Sequence, residues 1–240
     1  MNSQRLALVV AGVGLAFCTL AYADNRAYVW TYEYKTMKAG EAEVEYYTTF
    51  HSPSPDSLTG TVTAEHNLEL EVGMNDRFDM GFYQVFVQPP GEALTYQGFK
   101  VRARYRLGEA GQYPIDPLLY VEYKGQPDFS GHEWEVKLIL AKDFNRLNVA
   151  VNPVLEFESD DHGWEREFKY NMGISYRLHQ LVGLGLEARG GPHGHYLGPV
   201  ISHGKDDLWA ALGSAFAITS ISGGKPKFML RLIVGIGLRP

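Results

Sequence analysis

Residues 95–107 read TYQGFKVRARYRL. Lys100, Arg102, Arg104 and Arg106 fall on one side of an extended chain, while Phe99, Val101, Ala103, Tyr105 and Leu107 fall on the other. Successive side chains of a strand point to opposite faces, whereas a helix would scatter the four cations around its axis. The stretch is a strand with one charged face and one apolar face.

The same two-residue period recurs outward in both directions. Glu41, Glu43 and Glu45 alternate with Ala42, Val44 and Tyr46; Glu65, Asn67, Glu69 and Glu71 oppose Leu68, Leu70 and Val72. Glu133, Glu135 and Lys137 oppose Trp134, Val136 and Leu138; Glu167, Lys169, Asn171, Ser175 and Arg177 oppose Phe168, Tyr170, Met172, Ile174, Tyr176 and Leu178. Strands are expected near 28–35, 41–51, 60–73, 78–88, 95–107, 117–124, 132–142, 147–158, 165–178, 182–189, 195–202, 207–218 and 227–238. The links between them alternate in character. Residues 74–77, 143–146, 179–181 and 205–206 are tight, with a longer link at 108–116; residues 52–59, 89–94, 125–131, 159–163, 190–194 and 219–225 are looser and rich in Pro, Gly and Ser.

Short turns at one end and loops at the other match an outer-membrane barrel, with its turns toward the periplasm. A barrel running from Glu41 to Leu238 has twelve strands and both ends on the turn side. Residues 28–35 are then left over, to tuck into the barrel from below or pair at its seam. The competing architecture is a soluble β-sandwich. Against it stand the strand lengths, often ten residues or more where soluble sheets use about five or six. Aromatic residues near strand ends, such as Tyr46, Phe50, Tyr96, Tyr105, Tyr123, Trp134 and Phe168, also suit interfacial girdles.

Composition narrows the function classes. A net charge of −6 with no basic block argues against a nucleic-acid partner, and 45% apolar residues argue against disorder. Beyond the N-terminus no apolar run is long enough for a membrane helix. Residues 1–23 read as a secretory signal: Arg5, an apolar stretch from Leu6 to Leu20, then Ala21-Tyr22-Ala23 as a cleavage site. Phe17 before the single cysteine, Cys18, argues against lipid attachment there, and the rest of the chain has no cysteine. The expected organisation is a signal peptide at 1–23, a periplasmic or lumen-tucked segment at 24–40 and a barrel at 41–240.

In a barrel the charged faces line the lumen. The expected lining comprises Lys100, Arg102, Arg104, Arg106, Glu43, Glu45, Glu65, Glu69, Glu71, Glu135, Lys137, Lys169, Arg177 and Arg189. One outcome is a polar channel, in which the cationic file faces an acidic wall and sets up a transverse field that orients a solute. The other is that these charges pair and close the lumen. Twelve strands lie between filled eight-stranded barrels and open sixteen-stranded porins, so both remain open. Inner glycines at 183, 185, 213, 235 and 237 would leave room on the side of the last strands.

Catalytic and metal patterns are weak. His66 interrupts an apolar face, and pairing across the turn at 74–77 would set it opposite Gln84, yet no serine occupies a neighbouring outward position. His193 and His195 sit at i and i+2 in a Gly/Pro turn, followed by His203, without a carboxylate or cysteine close in sequence. Asp160-Asp161-His162 and Asp206-Asp207 read as solvated turn tips. No catalytic residue, metal or cofactor is expected.

Several phrases carry a family resemblance: Thr31-Tyr32-Glu33-Tyr34, then residues 38–45 (KAGEAEVE), then residues 74–81 (MNDRFDMG). With the hairpin order, they resemble a broad family of outer-membrane barrel proteins labelled transporter-like or "MetA-pathway of phenol degradation". The resemblance implies a barrel of about twelve strands with an uptake or export role and no catalytic residues. Leu230, Leu232, Val234, Ile236 and Leu238 form an alternating last strand, but Arg239-Pro240 replaces the terminal aromatic of the usual barrel ending. The expectation is thus an all-β, antiparallel transmembrane β-barrel of about 12 strands with a polar lumen, in the outer membrane of a Gram-negative bacterium. Its expected role is a channel for small polar or amphiphilic solutes, with a closed structural or surface-interaction barrel as the alternative and a membrane-embedded hydrolase third. The expected partners are outer-membrane lipid, the outer-membrane assembly machinery and a small solute, with no nucleic acid.

Overall fold

The computed structural model describes residues 25–160, 163–205 and 207–238. The signal segment with Cys18, the tip residues Asp161, His162 and Asp206, and Arg239-Pro240 lie outside the described residues. The chain forms β1 (Ala42–Ser52), β2 (Thr63–Asn75), β3 (Phe78–Gln88), β4 (Thr95–Arg106), β5 (Asp116–Gly125), β6 (His132–Phe144), β7 (Leu147–Asp160), β8 (Gly163–His179), β9 (Val182–Gly191), β10 (Gly194–Lys205), β11 (Leu208–Ala217) and β12 (Phe228–Leu238). Each strand pairs antiparallel with its neighbour in sequence. β12 returns to β1, with Ala42 opposite Leu238, and closes the barrel. Closure leaves no sheet edge with unpaired backbone groups, which a lipid environment requires.

The two faces of each strand divide as the alternation implies. Leu68, Leu70, Phe82, Leu119, Leu138, Ile174, Leu186, Leu212 and Ile236 are exposed on the outside. The charged files turn inward, where Glu43, Glu45, Glu69, Glu71, Arg102 and Arg104 are buried. An apolar exterior of this extent is a liability in water and a fitting surface for lipid. Three tyrosine–histidine pairs join it near the loop end: Tyr46 with His66 (2.6 Å), Tyr123 with His132 (2.7 Å) and Tyr170 with His195 (3.0 Å). An aromatic body with a polar tip suits the boundary between lipid and water.

Local chemistry sets the links. The turn between β6 and β7 is Asn145-Arg146, with Asn145 at φ 59°, a left-handed geometry that Asn tolerates. In β4 a bulge shifts the register at Gly98, which has φ 134°; a side chain there would collide with the Gly125 carbonyl. The loop end is less uniformly open than its composition implies. β9 and β10 extend into the Gly/Pro stretch and leave only Pro192-His193 as the turn.

Residues 28–35 are not a strand. They lie within the barrel, where Tyr28, Val29 and Trp30 join the inner core with Tyr47, Tyr83, Tyr196, Trp209 and Ile233. Their backbone groups bond to side chains of the wall instead of to a neighbouring strand, which releases the segment from extended geometry.

Candidate functional site

Residues 25–40 form a loop inserted into the lumen from the turn end. Asn25 begins near the turns at 145–146 and 180–181, in a cavity of about 290 Å³ that also includes Arg177 and Gly183. The chain rises to Trp30 and Tyr32 and returns, so that Gly40 donates to the Gly73 carbonyl (3.1 Å) and Gly73 to the Glu41 carbonyl (2.9 Å). The neck is drawn together by Ala27 N–H on Glu33 Oε2 (2.7 Å) and Lys35 Nζ on the Asn25 carbonyl (2.6 Å).

The wall grips the middle of this plug from β3, β7, β9 and β12, in addition to the contacts of Arg26 with β1 and of Gly40 with β2. Glu187 of β9 accepts the N–H groups of Val29 (2.9 Å), Trp30 (2.9 Å) and Thr31 (2.7 Å). Asn152 of β7 accepts from Tyr32 N–H (2.6 Å) and donates to its carbonyl (3.1 Å). The Tyr28 hydroxyl donates to Asn148 of β7 (Oδ1, 2.9 Å), and Asp79 of β3 accepts from Met37 N–H (2.9 Å). Arg231 of β12 donates to the Val29 carbonyl at 3.3 Å.

Small wall residues make the space. A Cβ on Gly213 would stand 2.4 Å from Val29 Cγ2, and one on Gly173 would stand 2.4 Å from the Tyr28 ring. The room expected beside the last strands therefore exists but is occupied: Val29 fills it at Gly213, and Trp209 with Glu43 fills it at Gly235. The turn-side position at Gly183 borders the cavity of about 290 Å³ beside Asn25.

The charges of β1 to β4 form a buried network. Arg102 lies 3.0 Å from Glu69 Oε1 and 2.6 Å from Glu71 Oε2, and it donates to the Tyr83 hydroxyl (3.1 Å). Arg104 grips Asp79 with two nitrogens (2.9 and 2.7 Å) and also pairs with Glu71. Arg26 of the plug donates to the Tyr47 hydroxyl (3.0 Å) and lies 3.8 Å from Glu45, while Glu43 accepts from the Trp209 indole. Of the two outcomes expected for these charges, pairing is the one seen in this network: β4 is hydrogen-bonded to β3 and β2 is the next strand over, so Arg102 and Arg104 reach acids along the wall. Glu45, Glu69 and Glu71 bring oxygens within 4.8 Å of one another, a spacing that could hold a cation, but the two arginines already occupy their flank.

The remaining predicted lining residues lie around this section. Lys100 pairs with Glu122 (3.3 Å), Lys137 with Glu135 (2.7 Å), and Lys169 with Glu156 and Glu167. Glu65 meets Asn67 and His51; Arg106 contacts the Asp76 carbonyl near the turn end, where Arg177 is also exposed. Arg189 stands with its guanidinium 5.4 Å from the Trp30 ring. Of the plug contacts, Glu187 is an inward acid by alternation, whereas Asn148 and Asn152 were not singled out; for all three the inward position was legible, but the partner was not.

The histidines separate. His66 stands opposite Phe86, not Gln84, because the turn closes on Asp76-Arg77, with Asn75 opposite Phe78, and the bulge at Gly73/Asn75 takes back a single position; it bonds Tyr46, and Gln84 bonds Tyr96. His193 contacts Glu167 (2.9 Å) and Ser222, whereas His195 reaches Tyr170, so the pair does not converge.

No family model matches the chain, and no curated protein matches it in sequence. Solved structures match in fold. An outer membrane channel from Pseudomonas putida F1 superposes with a TM-score of 0.67 at 12% identity, over 88% of this chain and 100% of that one. The KdgM porin, solved in complex with disordered oligogalacturonate, gives 0.56 at 12% identity over 82% and 99%. The NanC porin gives 0.53 at 10% identity over 82% and 99%. The chain is thus a closed twelve-stranded barrel of the outer-membrane kind, with the fold of channels and porins.

Proposed function

We propose that this chain is an outer-membrane channel for small polar or amphiphilic solutes, closed at rest by residues 25–40 acting as a removable plug. In this reading residues 1–23 are the export signal, 24–40 the plug and 41–240 the barrel, related to the transporter-like family that the opening motifs resemble. The observation that carries it is how the plug is held. From Val29 to Tyr32 its backbone bonds to wall side chains, among them Glu187 and Asn152, so lifting this part out breaks no strand ladder, and the backbone bond to β2 lies at the hinge, from Gly40 to Gly73. Behind it lie charged and amide groups that water can solvate, as a channel wall needs. The fold shared with an outer membrane channel and two porins supports the same reading.

A closed structural barrel is the second reading, favoured by the burial of Arg102 and Arg104 among their carboxylates. Planar-bilayer recording separates the two. Deleting residues 25–40 from the barrel is expected to convert rare openings into long-lived conductance steps. If full-length and shortened proteins, both shown to be folded, pass no current, the channel reading fails.

A further inference from the structure

Above the plug, on the loop side, two adjoining hollows of about 170 and 290 Å³ share Glu65, Glu135, Asn171, Arg189 and Arg231 in their walls. The charges of this vestibule are unevenly matched. Its acids are partnered: Glu65 by Asn67 and His51, Glu135 by Lys137, Glu156 by Lys169. Among the described residues, neither Arg189 nor Arg231 has a carboxylate within 4.0 Å. Glu187, the acid two positions along from Arg189, is taken up by three backbone N–H groups of the plug. Both guanidiniums flank one ring, 5.4 and 5.5 Å from the centre of the Trp30 indole, and Arg231 also donates through Nε to the Thr49 hydroxyl (2.7 Å) and through Nη1 to the Val29 carbonyl (3.3 Å), both neutral acceptors. Trp30 is 5% exposed, and its indole N–H has no acceptor although it sits in the wall of the smaller hollow.

We infer that this vestibule binds a small organic carboxylate, held between Arg189 and Arg231 at the Trp30 indole. Two planar cations and a buried, unmatched donor around one cavity are what a carboxylate's lone pairs require, and a guanidinium fork recognises that group in two-point fashion. Val154, Tyr196, Pro192 and Met229 line the wider hollow and would cover an apolar body attached to the carboxylate. The inference builds on the channel reading by giving the solute a chemical class. It also ties occupancy to the plug, since Arg231 and Trp30 belong to the contact between plug and wall.

Calorimetric titration of the detergent-solubilised full chain with benzoate tests the site, with benzamide as the uncharged counterpart of the same shape. Benzoate is expected to bind at least tenfold more tightly than benzamide. Arg189→Gln should remove most of that preference while the barrel stays folded, because among the described residues Arg189 makes no ion pair within 4.0 Å and Glu187 keeps its three bonds to the plug. Trp30→Phe keeps an aromatic face, deletes the N–H and should weaken benzoate severalfold. Equal binding of the two probes, no binding of benzoate, or full affinity in Arg189→Gln overturns the inference. Conductance is a separate readout: a non-conducting barrel that binds benzoate loses the channel reading alone, and a conducting one that ignores benzoate loses the site alone.

Discussion

A carboxylate that accepts three consecutive backbone N–H groups neutralises donors that would otherwise be stranded in a buried loop, as Glu187 does for Val29, Trp30 and Thr31. Hydrogen bonds to an ionised group are about twice as strong as those between neutral groups, and buried unsatisfied donors cost about 1–3 kcal/mol each. Glu187→Gln keeps the shape but removes the charge and turns one acceptor into a donor facing the plug's N–H groups. The variant should loosen the plug by on the order of 2 kcal/mol, which corresponds to roughly thirtyfold more of the open form. Bilayer recordings should show the rise in open probability, and limited proteolysis should cut within residues 25–40 sooner than in the parent chain. An unchanged open probability and cleavage rate would show that Glu187 does not hold the plug.

At the scale of single strands, alternation was enough to place the inward and outward faces and the order of hairpins. β4 shows why: each of Lys100, Arg102, Arg104 and Arg106 is separated from the next by one residue of the other face. Alternation could not show what the inward charges meet. Whether Arg102 faces Glu69 and Glu71 along the wall or an acid across the lumen depends on strand neighbourhood and side-chain reach. Nor could it reveal that Tyr28 to Tyr32, alternating like a strand, lie in the lumen, because their partners are side chains up to 158 positions away. The network on β2, β3 and β4 accordingly bears first on stability. Truncating one member of a buried ion cluster leaves the others uncompensated, at a cost of about 3–5 kcal/mol. Arg102→Ala should lower the temperature at which the detergent-solubilised barrel loses its β-sheet circular dichroism, and should do so with the plug deleted as well as present. An unchanged melting temperature would mean that water or rearranged neighbours already serve Glu69 and Glu71.

For the whole molecule, barrel and plug make two separable structures: a continuous ladder that closes on itself, and a loop attached to its inner wall by side chains. That separation predicts that the plug can be locked without disturbing the barrel. Val29 and Gly213 offer the place, since a Cβ on residue 213 would lie 2.4 Å from Val29 Cγ2 and 3.4 Å from Cγ1. A sulfur in the γ position of residue 29 would therefore come within reach of one on residue 213, and the absence of any cysteine after residue 23 keeps the background clean. The paired substitutions Val29→Cys and Gly213→Cys should give a barrel that is silent in the bilayer when oxidised and conducts after a reductant is added. Each single substitution should ignore the reductant, although Gly213→Cys alone crowds Val29 and should raise the resting open probability. A disulfide that forms while conductance persists would place the route for solutes somewhere other than through the space that the plug fills.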